Sequence, residues 1–245
     1  MKLYGKTALI TGATRGIGNA IAHEFLHAGS RVILTGTNKT KIGKLDAENE
    51  NEKIKWIFGD FSTVRGIELF INDLDKIKNI DICINNAGIN NIKLFDKYIY
   101  NDYQRLMAIN LTAPFFILQK LLPGMKKKKW GRIVNVASIW SQISKPGRAL
   151  YSTAKTGLVG LTRSIAIEYA SSNIIANTVS PGFTLTELTK QSLSRDEMEK
   201  LSNQIPMGRF ANPDEISKMI LFLCSNMNTY MTGQNIVIDG GFSHV

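Results

Sequence analysis

Along most of this chain, short runs rich in β-branched residues alternate with longer stretches of helical periodicity, and that alternation restricts the fold more than any single motif. The runs KTALITG, RVILTG, IKWIFGD, IDICINNAG, RIVNVAS, IIANTVS and NIVIDG read as strands. Between them, Gly16–Ala28, Val64–Lys78, Tyr103–Met125 and Tyr151–Ala170 read as helices. Strands joined by helical crossovers pair in parallel, and a parallel sheet carries helices on both faces. Several runs are apolar throughout instead of alternating, as strands covered on both sides should be. The expectation is an α/β fold built on a doubly wound parallel sheet. With 245 residues and neither an internal repeat nor a linker-like stretch, the chain reads as one domain over residues 1–245. In such sheets ligands collect beyond the carboxyl ends of the strands, which is where Gly12, Asn85, Ser138 and Ser180 fall.

The first strand-to-helix junction, TGATRGIGNAIAHEFLH, makes two incompatible offers. Gly12, Gly16 and Gly18, spaced G-x-x-x-G-x-G, allow the close backbone approach and free N–H groups that a pyrophosphate needs. The closing HEFLH instead matches the H-E-x-x-H pattern of zinc-dependent hydrolases. Helix geometry separates them, because at about 100° per residue His23 and His27 turn away from the apolar arc of Ile17, Ile21, Ala22, Phe25 and Leu26. A third protein ligand is also wanted, and the only other histidine is His244. HEFLH therefore reads as a solvated helix face, and no metal is expected.

A formal charge of +10 favours an anionic partner: nucleic acid, an acidic carrier protein or a phosphorylated cofactor. Its one dense cluster, Lys126–Lys129, stands where cations complement the negative end of the long helix. No RNP-like, helix-turn-helix or zinc-finger pattern accompanies the charge, so nucleic acid is not expected. Cys83 and Cys224 stand alone and read as core packing. Apolar runs such as TALI and AIA fall far short of the roughly 18 residues of a membrane span, and MKLYGKTALITG meets a strand and a glycine too early for a signal peptide. A cytoplasmic protein without a membrane partner is the expectation.

With TGATRGIG at the first turn, NNAG at 85–88, Asn110, Ser138 and YSTAK at 151–155, followed by PGFTLT at 181–186 and IDGG at 238–241, the chain resembles the short-chain dehydrogenase/reductase family over essentially its whole length. GRIVNVAS and PGFTLTEL make it most similar to the β-ketoacyl-(acyl carrier protein) reductase branch, itself close to polyol and sugar dehydrogenases. The resemblance implies a Rossmann-type sheet and a catalytic set of Asn110, Ser138, Tyr151 and Lys155. In that set Tyr151 exchanges the proton, Ser138 holds the substrate oxygen, Lys155 binds the nicotinamide ribose and Asn110 positions a water. It also implies cofactor contacts from Gly12, Thr14, Arg15, Gly16, Ile17, Gly18, Thr37, Asp60, Phe61, Asn86, Ala87, Gly88, Pro181, Gly182, Thr184 and Thr186, besides Tyr151 and Lys155. Independently of the resemblance, Tyr151 and Lys155 stand one helical turn apart and project toward one site. Bringing a phenol from pKa about 10 to about 7 takes roughly 4 kcal/mol, of which an ammonium about 5 Å away supplies about 3.

Cofactor choice follows from a missing acid. A carboxylate about 20 residues beyond the glycine loop grips the 2′-hydroxyl of NAD, but LTGTNKTK at 34–41 contains none and the first acid is Asp46. Arg15, Thr37, Asn38 and Lys39 instead offer donors to a 2′-phosphate, so NADP(H) is expected, used for reduction. Substrate contacts are expected from Ser138, Trp140, Gln142 and Tyr151, under a lid at about 187–210. Trp140, Gln142 and Arg148 are bulkier or more polar than the small-residue loop of acyl-carrier reductases, so a sugar, polyol or hydroxysteroid-like carbonyl stands as the alternative to a β-ketoacyl thioester. For docking a carrier protein, the resemblance suggests two basic positions, of which Lys129 fills one while Ser172 occupies the other. A non-catalytic dinucleotide sensor is the other class, and the family's assembly through two long helices implies a homotetramer.

Overall fold

The structure is a computed structural model that describes residues 1–77 and 79–244, leaving the side chains of Leu188 and Ser192 undescribed. Among the described residues, seven parallel strands form one sheet in the order β3-β2-β1-β4-β5-β6-β7. They are β1 (Thr7–Ile10), β2 (Arg31–Gly36), β3 (Ile54–Phe58), β4 (Ile82–Asn85), β5 (Gly131–Val136), β6 (Ile174–Pro181) and β7 (Asn235–Ile238), each on a run expected to be a strand, with β5 starting one residue earlier and β6 ending one residue later than its run. The order reverses between β1 and β4, and the crevice beyond that switch point is where such a sheet binds ligands.

Helices α1 (Gly16–His27), α2 (Lys39–Ala47), α3 (Val64–Leu74), α4 (Tyr100–Met107), α5 (Ala113–Lys128), α6 (Ala149–Tyr169), α7 (Glu187–Ser192), α8 (Arg195–Ser202) and α9 (Pro213–Cys224) connect the strands. Within a strand, neighbouring residues serve opposite faces. Leu9, Ile33, Cys83 and Ile133 pack with α3, α5 and α6 residues such as Phe70, Leu118 and Ile165. Ile10, Leu34, Ile82 and Val134 pack with Ile21, Phe25, Ile216 and Ile220 of α1 and α9. This is the period-two consequence of a pleat covered on both sides.

Several expectations change in detail. Helix α3 ends at Leu74, and Lys78, its expected last residue, lies outside the described residues. Helix α9 was not anticipated, although Asn212 and Glu215 form a capping box and Pro213 opens the helix. The long central helix runs from Tyr100 to Lys128, further at both ends than expected, and passes through a wide π turn at Ala108–Thr112. Pro114 explains that turn, since it has no N–H to return to the Asn110 carbonyl four residues back. By length and composition these 29 residues could cross a membrane, which short apolar runs did not reveal; half of the apolar stretch is buried in the fold.

His23 and His27 are exposed while Ile21 and Phe25 are fully buried, as the helical wheel requires. Cys83 and Cys224 are free, fully buried core residues. In the lysine cluster, Lys128 reaches back 2.8 Å to Asp81, whose other oxygen accepts from the Thr7 N–H at the start of β1. Lys129 closes α5 in the left-handed conformation at φ 52°.

Candidate active site

The carboxyl ends of β1, β2 and β4 are locked into one surface by short-range bonds. The Thr11 hydroxyl accepts from the backbone N–H groups of Asn86 and Ala87, both at 3.0 Å. The Asn86 amide donates to the carbonyls of Thr11 and Gly12 at 2.9 and 3.0 Å. The Gly12 N–H donates to the Thr35 hydroxyl at 3.1 Å. These contacts leave no space for side chains: a Cβ on Gly12 would lie 2.9 Å from Ala87 Cα, and one on Gly18 would lie 2.3 Å from the Gly12 carbonyl oxygen. Gly12 also sits at φ +67°, which side-chain-bearing residues rarely adopt.

At the opening of α1, Arg15 is an extended cap that makes no side-chain capping bond, and the first turn carries no acid of its own. The first N–H groups are thus available to an anion. One of them, on Gly16, donates 3.0 Å to the carboxylate of Glu187 at the start of α7. From here a groove of about 340 Å³ runs past Thr14, Arg15, Ile17 and Thr37 to Asp60 and Phe61 on one side and to Asn86–Gly88 and Thr186 on the other. These are the expected dinucleotide contacts, brought together. The acid nearest in sequence to the end of β2, Asp46, is committed elsewhere: it accepts from the Trp56 N–H at 2.8 Å.

A second cavity of about 320 Å³ adjoins the groove and shares Ile17, Asn86, Gly88, Ile89 and Thr186 with it. Ser138, which follows β5, and Tyr151 and Lys155, from the first turns of α6, line it together with Pro181, Gly182 and Thr184. The Ser138 hydroxyl accepts from the Trp140 N–H at 3.3 Å, and Ser138 and Tyr151 line the same cavity. The Lys155 ammonium is almost completely buried and donates 2.8 Å to the carbonyl of Val136, the last residue of β5. It lies 5.6 Å from the centre of the Tyr151 ring.

Burial governs both titrations. It pulls the Lys155 ammonium down to about 8, and it pushes the Tyr151 phenol above the ordinary value, with the Ser138 hydroxyl and then the Arg148 guanidinium pulling the phenol partly back. Lys155, expected to lower the phenol, stands 5.6 Å from its ring centre, and the Arg148 guanidinium is a second cation acting on it.

Asn110 does not line the cavity. Fully buried in the π turn, its side chain accepts from the Ile89 N–H at 2.9 Å and donates to the Ile89 carbonyl at 2.8 Å. It holds the loop after β4, where Gly88 is wedged so that a Cβ would lie 3.1 Å from Asn110 Oδ1 and 3.3 Å from Lys155 Nζ. Gln142 is exposed and is not among the residues lining the cavity. Trp140 does line it and is otherwise buried edge-on against Phe183 and Phe242, with Phe210, at the end of the expected lid, stacked on Phe183.

One site residue was named but not expected as a contact, and another escaped the sequence altogether. Arg148 occupies the wall where Gln142 was expected, and Glu187 reaches the glycine loop from across the chain. The signal for Arg148 is the K-P-G-R turn: the Arg148 N–H donates to the Lys145 carbonyl at 3.2 Å and Gly147 sits at φ +80°, a type II turn with proline and glycine at their favoured places. No local signal marks Glu187, whose partner is 171 residues away.

A family model described as enoyl-(acyl carrier protein) reductase matches residues 12–243. The chain is 40% identical to a 3-oxoacyl-(acyl carrier protein) reductase from Aquifex aeolicus, with 98% of each chain covered. It is 36% identical to an enzyme of the same description from Vibrio cholerae, again over 98% of each. Among solved structures, a gluconate 5-dehydrogenase from Burkholderia cenocepacia in complex with NADP and tartrate superposes with a TM-score of 0.91 at 29% identity, covering 100% of this chain and 97% of that one.

Proposed function

Because the chain belongs to the short-chain dehydrogenase/reductase family, whose members use a nicotinamide dinucleotide, we propose that it is an NADPH-dependent carbonyl reductase acting on a β-ketoacyl thioester carried by an acyl carrier protein. The observation that carries this reading is the meeting of Ser138, Tyr151 and Lys155 in one cavity that opens onto the glycine-lined groove. The tight Gly12–Gly18–Asn86 surface fits a dinucleotide backbone, and Tyr151 and Lys155 fit its nicotinamide end. When bound, the nicotinamide supplies a hydride to the carbonyl carbon.

The chain's own residues do the rest. The ketone oxygen sits against the Ser138 and Tyr151 hydroxyls, and the developing alkoxide takes the phenolic proton of Tyr151. The resulting phenolate is tolerated because Arg148 and Lys155 hold positive charge beside it. The Val136 carbonyl fixes where the Lys155 ammonium stands, and Asn110 holds the Ile89 loop that closes this side of the cavity. Residues 187–210 form the lid, Lys129 belongs to the surface met by the acidic carrier, and the protein works as a cytoplasmic homotetramer.

NADPH is favoured over NADH by Arg15 and Thr37 at the groove and by the commitment of Asp46 to Trp56. A second reading, a small sugar or polyol ketone, is favoured by the bulk of Trp140 and the charge of Arg148 in the cavity wall. Turnover of a short β-ketoacyl thioester compared with ketoses, using each cofactor, decides the matter. A tenfold preference for NADH would overturn the cofactor assignment, and reduction of ketoses alone would overturn the thioester. Tyr151→Phe should lower kcat by about 10²–10⁴ while nucleotide binding persists; undiminished turnover would remove Tyr151 from the reaction.

A further inference from the structure

The wall of the catalytic cavity carries an unmatched cation. Among the described residues the lining includes Arg148 and Lys155 but no aspartate or glutamate. Lys155 has the Val136 carbonyl and sits at the nicotinamide end. Arg148 has no equivalent partner: its Nε is buried without a hydrogen bond, and the ionisable groups that face it are the phenols of Tyr151 and Tyr98 and the ammonium of Lys145. The Tyr98 hydroxyl is already engaged, with the Asn91 carbonyl at 2.7 Å and the Gly147 carbonyl at 3.3 Å.

The guanidinium lies 5.3 Å from the centre of the Trp140 ring, and the Lys145 ammonium lies 5.2 Å from the same ring. Burial holds both cations below their ordinary values, and the Arg148 guanidinium lowers Lys145 further. A half-buried guanidinium without an acid, with the exposed Lys145 ammonium beside it, is unfavourable unless something anionic completes it, since buried charges are ordinarily paired. A planar guanidinium fixed on an aromatic face is suited to two parallel hydrogen bonds from a carboxylate. The rigid K-P-G-R turn holds Arg148 three residues before Tyr151, so the anion and the reacting carbonyl belong to one small molecule or one acyl chain.

We infer that Arg148, backed by Trp140 and Lys145, is the receptor for a carboxylate on the ketone substrate, so that the preferred substrates are oxo acids or acyl chains ending in a carboxylate. This rests on the carbonyl-reductase reading of the same site and narrows its substrate class. Arg148 then both anchors the substrate and faces the Tyr151 phenol. Charge on the substrate becomes a determinant of specificity.

The test uses matched pairs, 2-, 3-, 4- and 5-oxo acids and their methyl esters, with NADPH and the full-length protein. For at least one chain length the wild type should favour the acid at least tenfold in kcat/KM, chiefly through KM. Arg148→Gln should bring that acid-to-ester ratio to about one, and Arg148→Lys should retain part of it, with each variant's melting temperature checked. In the NADP⁺ complex, malonate should raise the melting temperature of the wild type and leave that of Arg148→Gln unmoved. Esters reduced as well as or better than acids at every length would overturn the inference while leaving the carbonyl-reductase reading intact, and that result needs no variant. Failure to reduce any acid, ester or β-ketoacyl thioester would remove the reading itself and the inference with it.

Discussion

Replacing Lys155 with methionine should make the protein more stable and nearly inactive at once. The ammonium is almost wholly buried and its pKa falls from the ordinary 10.5 to about 8. That fall corresponds to about 3 kcal/mol by which folding disfavours the charged form. Methionine fills a similar volume without the charge, but it gives up the hydrogen bond to Val136 and leaves that carbonyl unsatisfied, a loss of about 1–2 kcal/mol. A net gain of about 1–2 kcal/mol is expected at pH 7 without cofactor, or about 3–6 °C in Tm for a chain of this size. Because the folded pKa lies below the unfolded one, the unfolded chain binds more protons between pH 8 and 10.5. The wild type's penalty is therefore complete below pH 8 and fades toward 10.5, so the advantage of Lys155→Met should shrink over that window. Denaturant melts at pH 7, 8, 9 and 10 measure this directly. A variant less stable than wild type at pH 7, or a difference that stays flat with pH, would refute the picture of a charged lysine held against its desolvation.

Three further changes probe separate parts of the groove and its support. Thr37→Asp places a carboxylate at the exposed end of β2, where a 2′-phosphate would meet it; the NADPH-to-NADH ratio of kcat/KM should fall at least tenfold, and an unchanged ratio would move the discriminating contact elsewhere. Glu187→Gln removes the negative charge that accepts from the Gly16 N–H at the start of α1, so the Kd for NADPH, read by nucleotide fluorescence, should fall about two- to fivefold. A rise in Kd would show that Glu187 assists binding instead of competing. Thr162→Val strips the acceptor from the Asn135 amide and the partner from the Thr178 hydroxyl, both at 2.8 Å, and should cost about 1–3 kcal/mol in a urea melt.

The parallel sheet and the pairing of Tyr151 with Lys155 on one helix face were legible in the sequence because both are written locally. An apolar run of four to six residues between helical stretches names a buried strand, and the spacing from Tyr151 to Lys155 is one turn of α6. Where the sequence fell short, the deciding contact is distant or depends on a neighbour's chemistry. Helix α9 had a readable start in Asn212, Pro213 and Glu215, yet its inward face is apolar only in relation to α1 and the sheet. Gln142 was expected at the cavity and Arg148 was only one of the loop's bulky residues, but the turn at Pro146 and Gly147 sets Arg148 in the cavity wall and Gln142 is exposed.

Least legible is the polar chain beneath the catalytic residues. Asn85 donates to Asn135, Asn135 to Thr162, and Thr178 to Thr162, each at 2.8 Å and buried, so that β4, β5, α6 and β6 are tied at one level. In the sequence these appear only as polar interruptions of apolar segments, and nothing local says that Asn85 and Asn135 meet across 50 residues. Their register follows from the parallel pairing of β4 with β5, which sets Asn85 directly opposite Asn135. Fully bonded, such a chain fixes geometry where an apolar contact would tolerate sliding. Thr162 lies seven residues beyond Lys155 on α6, two turns along roughly the same face, so the bond that pins Thr162 to β5 and the bond that pins Lys155 to Val136 hold the helix at two points. An α6 held at only one of them could turn about it, and Tyr151, at the helix's free end, would swing furthest from Ser138.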